Sequence, residues 1–178
     1  MIELILGGVK SGKSKLAEQH AIDTKLDVLY IATAMKEFEG IRDQAMHERI
    51  SKHKEQRPDH WQVIEEPLSL ADTLIKHASE NKTMLVDCLT LWLTNLLLST
   101  DKSLLKQETN NLINTLPTLN GNIIFVSNET SMGIIPEAEL ARNYCDEAGI
   151  LHQKLATISD RVILTIAGLP HVLKGSNK

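Results

Sequence analysis

Residues 2–14 read "IELILGGVKSGKS", five apolar-rich positions running straight into a glycine pair and then a third glycine followed by Lys and Ser. The run 2–6 has strand length and branched aliphatic content, and Gly7 to Ser14 satisfies the spacing G-x-x-x-x-G-K-[ST]. That spacing has a mechanical logic. Glycines let the backbone wrap closely round phosphate oxygens, and the helix that follows aims its N-terminal N–H groups at them. Lys13 can then reach the outer phosphates and Ser14 can ligate Mg2+. The flanks agree, since an apolar strand precedes the motif and the amphipathic "KSKLAEQHA" follows it.

Outward from this stretch, the same alternation recurs. Strand-length apolar runs at 27–33, 83–87, 122–127 and 161–167 are separated by helical patterns at 13–22, 41–56, 69–80, 89–98, 102–115 and 137–158. "WQVIEE" at 61–66 is a candidate for one more strand, and the end, "KGSNK", reads as frayed. Several runs are apolar without alternation, as strands covered on both faces are. The order predicts an α/β domain of the P-loop NTPase type, with a mostly parallel central sheet and helices on both faces in three layers. At 178 residues the chain fits one domain, 1–178, with enough length to bury a real core.

Composition narrows the function. Net charge is −4, so there is no global positive charge to attract nucleic acid or an anionic membrane. The N-terminus lacks a secretory signal pattern, and the densest apolar stretch, "MLVDCLTLWLTNLLL", is interrupted by Asp87 and Asn95 and too short to span a bilayer. We therefore expect a cytoplasmic protein without membrane insertion. Cys88 and Cys145 are far apart and form no ligand cluster, which reads as two partly buried thiols.

A phosphate-binding loop with magnesium calls for an acid at the end of a neighbouring strand, and Asp87 in "MLVDCLT" supplies one. Asp87 also precedes a helical run, so a helix-capping role stays open beside the magnesium role. In "VSNETSMGIIPE", 126–137, Asn128 and Glu129 leave a strand at the edge where open α/β sheets bind ligands, although an ordinary turn would use the same residue types. A GTPase switch is disfavoured, since the nearest base-reading segment, "NKTM", lacks its Asp. A small-molecule transferase fits the size better than a nucleic-acid motor.

Six segments in order, "GGVKSGKS", "YIAT", "ERISKHKEQRPDHW", "VDCLTLWLTNLL", "VSNETSMGIIP" with "ARNYCDEAG", and "VILTIAGLP", resemble one family along essentially the whole chain. It is the bifunctional adenosylcobinamide kinase / adenosylcobinamide-phosphate guanylyltransferase family of cobalamin biosynthesis. The resemblance implies phosphorylation of adenosylcobinamide, then transfer of GMP from GTP, through a histidine, to adenosylcobinamide phosphate. The donor would be GTP, or ATP for the kinase step, with Mg2+. By position, the reactive histidine is His53. Gly7, Gly8, Val9, Lys10, Ser11, Gly12, Lys13 and Ser14 would hold the triphosphate, with Ser14 and Asp87 on the metal. Thr33, Ala34 and Met35, then Lys54, Glu55, Gln56 and Arg57, and the acids Glu65 and Asp87, would complete the nucleotide site. The resemblance also implies a homotrimer.

Chemistry supports the residue type at position 53, because a neutral imidazole can attack phosphorus and pass the nucleotidyl group onward. His47 lies about 240° round a helix from His53 and should face elsewhere. His47, His60 and His77 read as solvated surface. Two departures from the family pattern, Asp87 where some members carry Glu and Val9-Lys10 in the loop, bear on nucleotide preference. A P-loop kinase without a covalent intermediate, or a nucleotide-dependent regulatory protein, would share the loop but not a modified His53.

Overall fold

The computed structural model describes residues 1–35 and 58–176. The helix expected over 41–56 lies outside them, and with it His47, His53, Lys54, Glu55, Gln56 and Arg57. Seven strands form one sheet: β1 (Ile2–Gly7), β2 (Asp27–Ala32), β3 (Gln62–Glu65), β4 (Lys82–Asp87), β5 (Asn122–Asn128), β6 (Arg161–Ile166) and β7 (Leu169–Lys174). Their order is β3-β2-β4-β5-β1-β6-β7, and every pair is parallel except β6 with β7. Five described α-helices join them: α1 (Lys13–Asp23), α2 (Leu70–His77), α3 (Leu89–Leu98), α4 (Leu104–Thr115) and α5 (Glu139–Ile158). "WQVIEE" does add a strand, at the edge beside β2.

Side chains two apart on a strand share a face, so the apolar runs feed two cores at once. Leu4, Leu29, Ile31, Met84, Val86, Ile123 and Phe125 pack on the face covered by α2 to α5, against Leu70, Leu74, Trp92, Leu96, Leu112, Leu151 and Leu155. Their neighbours Ile5, Val28, Tyr30, Leu85, Ile124 and Val126 face the other way, onto Ala17 and Ala21 of α1 and onto Trp61. Small alanines let α1 approach the sheet closely. Each fully buried Leu or Ile stabilises the fold by about 1.5–3 kcal/mol relative to exposure. The Leu-rich helix α3 is buried on several sides, with Leu89, Trp92, Leu93, Asn95 and Leu96 inside.

The C-terminal end corrects the expected fraying at Lys174 alone; Gly175 and Ser176 follow the last strand, and residues 177–178 lie outside the described ones. Ala167 and Gly168, with φ of 53° and 81°, form a two-residue turn, and the chain returns as antiparallel β7. Lys174, expected to fray, ends that strand and its Nζ donates to the carbonyls of Ala156 and Thr157 at 2.9 and 2.8 Å, closing the C-terminal end of α5. Pro170 hid the strand, and it is tolerated because β7 is the sheet edge.

Candidate active site

The carboxyl ends of β1, β4 and β5 bring the phosphate-loop motif and Asp87 to one edge of the sheet. Gly7 must be glycine: a Cβ there would lie 2.4 Å from the Thr165 carbonyl oxygen and 2.6 Å from Ser11 Oγ. Gly12 holds a left-handed φ of 100°, and a Cβ on it would press 3.3 Å from Gly168 Cα. The β6–β7 turn thus braces the loop from outside, with the Gly168 N–H donating to the Ser11 carbonyl at 2.9 Å. Gly8, Val9 and Lys10 stay exposed along the crest of the loop.

Lys13 is buried although it begins a helix, and its Nζ donates to the Gly8 carbonyl at 2.8 Å. Burial lowers its pKa, opposed by Cys88 and Asp87. Burial, helped by Asp87, pushes the Cys88 thiol up to about 11. Ser14, half-buried in the first turn of α1, is placed beside Lys13 by the same helix start.

Asp87 ends β4 on the face that α1 covers, and the Tyr30 hydroxyl donates to its Oδ2 at 2.8 Å. Its backbone is fixed too, as the Thr33 N–H donates to the Asp87 carbonyl at 3.3 Å. Thr33 is fully buried: its hydroxyl donates to the Cys88 carbonyl at 2.6 Å and accepts from the Cys88 N–H at 3.0 Å. Asn95 of α3 then donates to the Thr33 carbonyl at 2.8 Å and to that of Pro67 at 3.1 Å. The Thr33 side chain is therefore spent on joining the ends of β2 and β4, while Ala34 and Met35 are half-buried beyond it. Glu65 ends β3 in register with Ala32, and its side chain is exposed. Its neighbour Glu66 is structural, accepting from the N–H groups of Leu68 and Ser69 and from the Thr73 hydroxyl to start α2.

Asn128 and Glu129 both reach this edge. The Asn128 N–H donates to Thr90 Oγ1 at 2.8 Å and the Glu129 N–H to the Gly7 carbonyl at 3.0 Å, so the end of β5 is pinned on both sides. His60 is exposed and His77 half-buried at the end of α2. His152, absent from the sequence expectations, is buried on α5 with its Nε2 2.8 Å from Ser127 Oγ. Tyr30, Thr90 and Asn95 were equally missed. Their signal was a polar group inside an apolar run, but the partner of each lies in another element.

Among the described residues no group of three or more His, Cys, Asp or Glu side chains could hold a metal ion by itself, and no described helix is long and apolar enough to cross a membrane. A site with one carboxylate and one hydroxyl suits Mg2+, which takes much of its coordination from substrate phosphates and water.

Comparison with known proteins gives one consistent picture. Residues 3–173 match the family model described as cobinamide kinase / cobinamide phosphate guanyltransferase. The chain is 52% identical over 175 residues to the bifunctional adenosylcobalamin biosynthesis protein CobP of Pseudomonas aeruginosa, covering 98% of each chain. It is 34% identical to the bifunctional adenosylcobalamin biosynthesis protein CobU of Escherichia coli, covering 95% of this chain and 97% of that one. Among solved structures, the flagellar accessory protein FlaH from Methanocaldococcus jannaschii superposes with a TM-score of 0.54 at 14% identity, covering 99% of this chain and 81% of FlaH. The P4 protein of bacteriophage phi6, solved with ADP, superposes with a TM-score of 0.50 at 15% identity, covering 96% of this chain and 53% of P4. Both share the fold alone.

Proposed function

The chain belongs to the cobinamide kinase / cobinamide phosphate guanyltransferase family, and from that premise we propose that it performs both steps through one nucleotide site with a guanylyl-histidine at His53. It is an enzyme of cobalamin biosynthesis. In the first step the aminopropanol hydroxyl oxygen of adenosylcobinamide bonds the γ-phosphorus of ATP or GTP as the bond to the nucleoside diphosphate breaks. In the second, the neutral imidazole of His53 bonds the α-phosphorus of GTP and pyrophosphate leaves. A phosphate oxygen of adenosylcobinamide phosphate then displaces the imidazole, giving adenosylcobinamide-GDP.

The observation that carries the reading is the buried Lys13, held at the mouth of a braced glycine loop on the edge where Asp87 also ends its strand. Gly7 to Ser14 would hold the phosphates, with Lys13 balancing their charge. Ser14 and Asp87 would hold Mg2+, which when bound neutralises charge on the β- and γ-phosphates. The remaining nucleotide contacts are assigned to Ala34 and Met35, Lys54 to Arg57, and Glu65, while Thr33, fully buried and hydrogen-bonded within the protein, holds the strand end that carries them. Arg57 is the candidate for a bidentate phosphate contact. The reaction needs no membrane and no nucleic acid, and we place it in the cytoplasm. The family resemblance implies a homotrimer, and the apolar segment at 132–135, where Met132, Ile134 and Ile135 are 74, 98 and 77% exposed, offers a surface for a subunit contact of whatever number.

The test is intact-protein mass after incubation with GTP and Mg2+, wild type against His53→Asn. We expect a GMP-sized, acid-labile and alkali-stable increment on the wild type only. A folded, GTP-binding wild type that gains no increment would leave a P-loop kinase without a covalent step as the better reading.

A further inference from the structure

We propose that Asn128 is a further catalytic residue of the kinase step, its side-chain amide donating a hydrogen bond to a non-bridging oxygen of the phosphoryl group in transfer. The assignment rests on the reading of Gly7 to Ser14 as the phosphate site and adds a residue that reading does not use. Strand β5 lies between β1, which opens the loop, and β4, which ends in Asp87. Asn128 pairs in register with Gly7, and Val126, two residues earlier, pairs with Asp87.

The alternation of β5 settles which way each end residue points. Ile124 and Val126 pack on the α1 face, Ile123 and Phe125 on the opposite one. Asn128 continues the first series, and so shares its face with the glycine loop, Lys13 and Asp87. Ser127 continues the second, where it meets His152 at 2.8 Å. Glu129 also turns that way: its carboxylate lies 3.8 Å from His152 Nδ1 and accepts from the Ser131 N–H and hydroxyl. Of the two polar residues at this edge, one carboxylate is spent on the α5 side and one neutral amide is presented to the loop.

Two backbone hydrogen bonds, to Thr90 Oγ1 and the Gly7 carbonyl, fix the strand end that carries it. Among the described residues the Asn128 side-chain amide makes no hydrogen bond, although the residue is half-buried. The contrast is Asn95, whose amide nitrogen serves two carbonyls. A half-buried amide without a hydrogen-bond partner among the described residues, on a fixed strand end whose register partner Gly7 opens the loop that carries Lys13, has the chemistry of a preorganised donor to an anion. As the acceptor hydroxyl oxygen bonds phosphorus and the bond to the nucleoside diphosphate breaks, negative charge on the phosphoryl oxygens is held by this N–H and by Lys13. The amide takes no proton; the hydroxyl proton leaves with the phosphate product.

The experiment is steady-state transfer of the labelled γ-phosphoryl group from ATP or GTP to adenosylcobinamide, for Asn128→Ala, Asn128→Asp and Lys13→Ala. We expect Asn128→Ala to lower kcat about 10²- to 10³-fold while the nucleotide KM stays within about threefold. Asn128→Asp has the same size and brings negative charge against the phosphate, so it should be at least as slow. Should the alanine variant fail to fold, the near-isosteric Asp variant decides. A folded Asn128→Ala with kcat within about threefold of wild type overturns the proposal, as does an Asp variant as fast as wild type. The control separates the two levels: Lys13→Ala at wild-type rate defeats the phosphate-site reading itself, whereas a dead Lys13→Ala beside a normal Asn128→Ala defeats only the role of Asn128.

Discussion

Glu3 and Asp87 are carboxylates on the same face of the sheet, one at the amino end of β1 and the other at the carboxyl end of β4, and they are treated in opposite ways. Glu3 is 1% exposed and placed between two basic groups. His20 Nδ1 of α1 lies 2.9 Å from its Oε2, and Arg161 Nη1 of β6 lies 3.4 Å from its Oε1. The Arg161 contact is ionic and not an aligned hydrogen bond, since Oε1 has no hydrogen-bond partner by geometry. Asp87 is half-buried and receives a neutral hydroxyl from Tyr30. One acid is consumed in tying α1 and β6 to β1. The other is oriented but left with charge to offer, at the edge where strands of open α/β sheets meet their ligands. The difference lies in the partners: basic groups lie against both oxygens of Glu3, whereas a single neutral hydroxyl meets Oδ2 of Asp87.

Substitution should separate the two cleanly. Asp87→Asn keeps the shape and removes the charge, so we expect kcat of phosphoryl transfer to fall about 10²- to 10³-fold, with a higher Mg2+ requirement and little change in melting temperature. Glu3→Ala should do the reverse. It leaves Arg161 and His20 facing a vacated site, and breaking such a pair costs about 2–3 kcal/mol here, below the usual range for wholly buried pairs because each basic partner keeps some exposure. Denaturant unfolding reads that loss, and kcat of the folded enzyme should stay within about twofold of wild type. An Asp87→Asn variant that unfolds early yet turns over normally, or a Glu3→Ala variant that is stable but slow, would break the comparison.

What the sequence disclosed and what it withheld divide along the range of the interactions. The loop Gly7 to Ser14 was legible because its constraints are local: glycines where a Cβ would collide, and a lysine and serine at the helix start. The parallel sheet was legible because two-sided burial forces unbroken apolar runs such as Ile123 to Val126. Strand β7 was not, since five of its six residues are exposed and Pro170 argues against a strand unless its edge position is known. Tyr30 with Asp87, Asn95 with Thr33 and His152 with Ser127 were also invisible. Those partners are separated by 57, 62 and 25 positions, and only the fold brings them together. His53 and Lys54 to Arg57 rest on the family pattern and lie outside the described residues.

The smallest expected effect sharpens the comparison most, because it alters the setting of Asp87 without touching the acid. Tyr30 is 2% exposed, its ring packed at 6.5 Å from that of Trp61, so Tyr30→Phe should keep the core and delete one hydroxyl. A hydrogen bond to a charged group contributes about 1.5–3 kcal/mol, but Asp87 is only half-buried and water can replace part of it. About 1 kcal/mol remains, which corresponds to a roughly fivefold higher Mg2+ concentration for half-maximal kinase activity. Titration with Mg2+ at saturating nucleotide measures it. A curve matching wild type would reduce Tyr30 to packing and leave Asp87 oriented by its backbone bond to Thr33 alone. A loss as large as that of Asp87→Asn would mean that the hydroxyl itself meets the ligand, and the acid would no longer be the group that distinguishes this edge of the sheet.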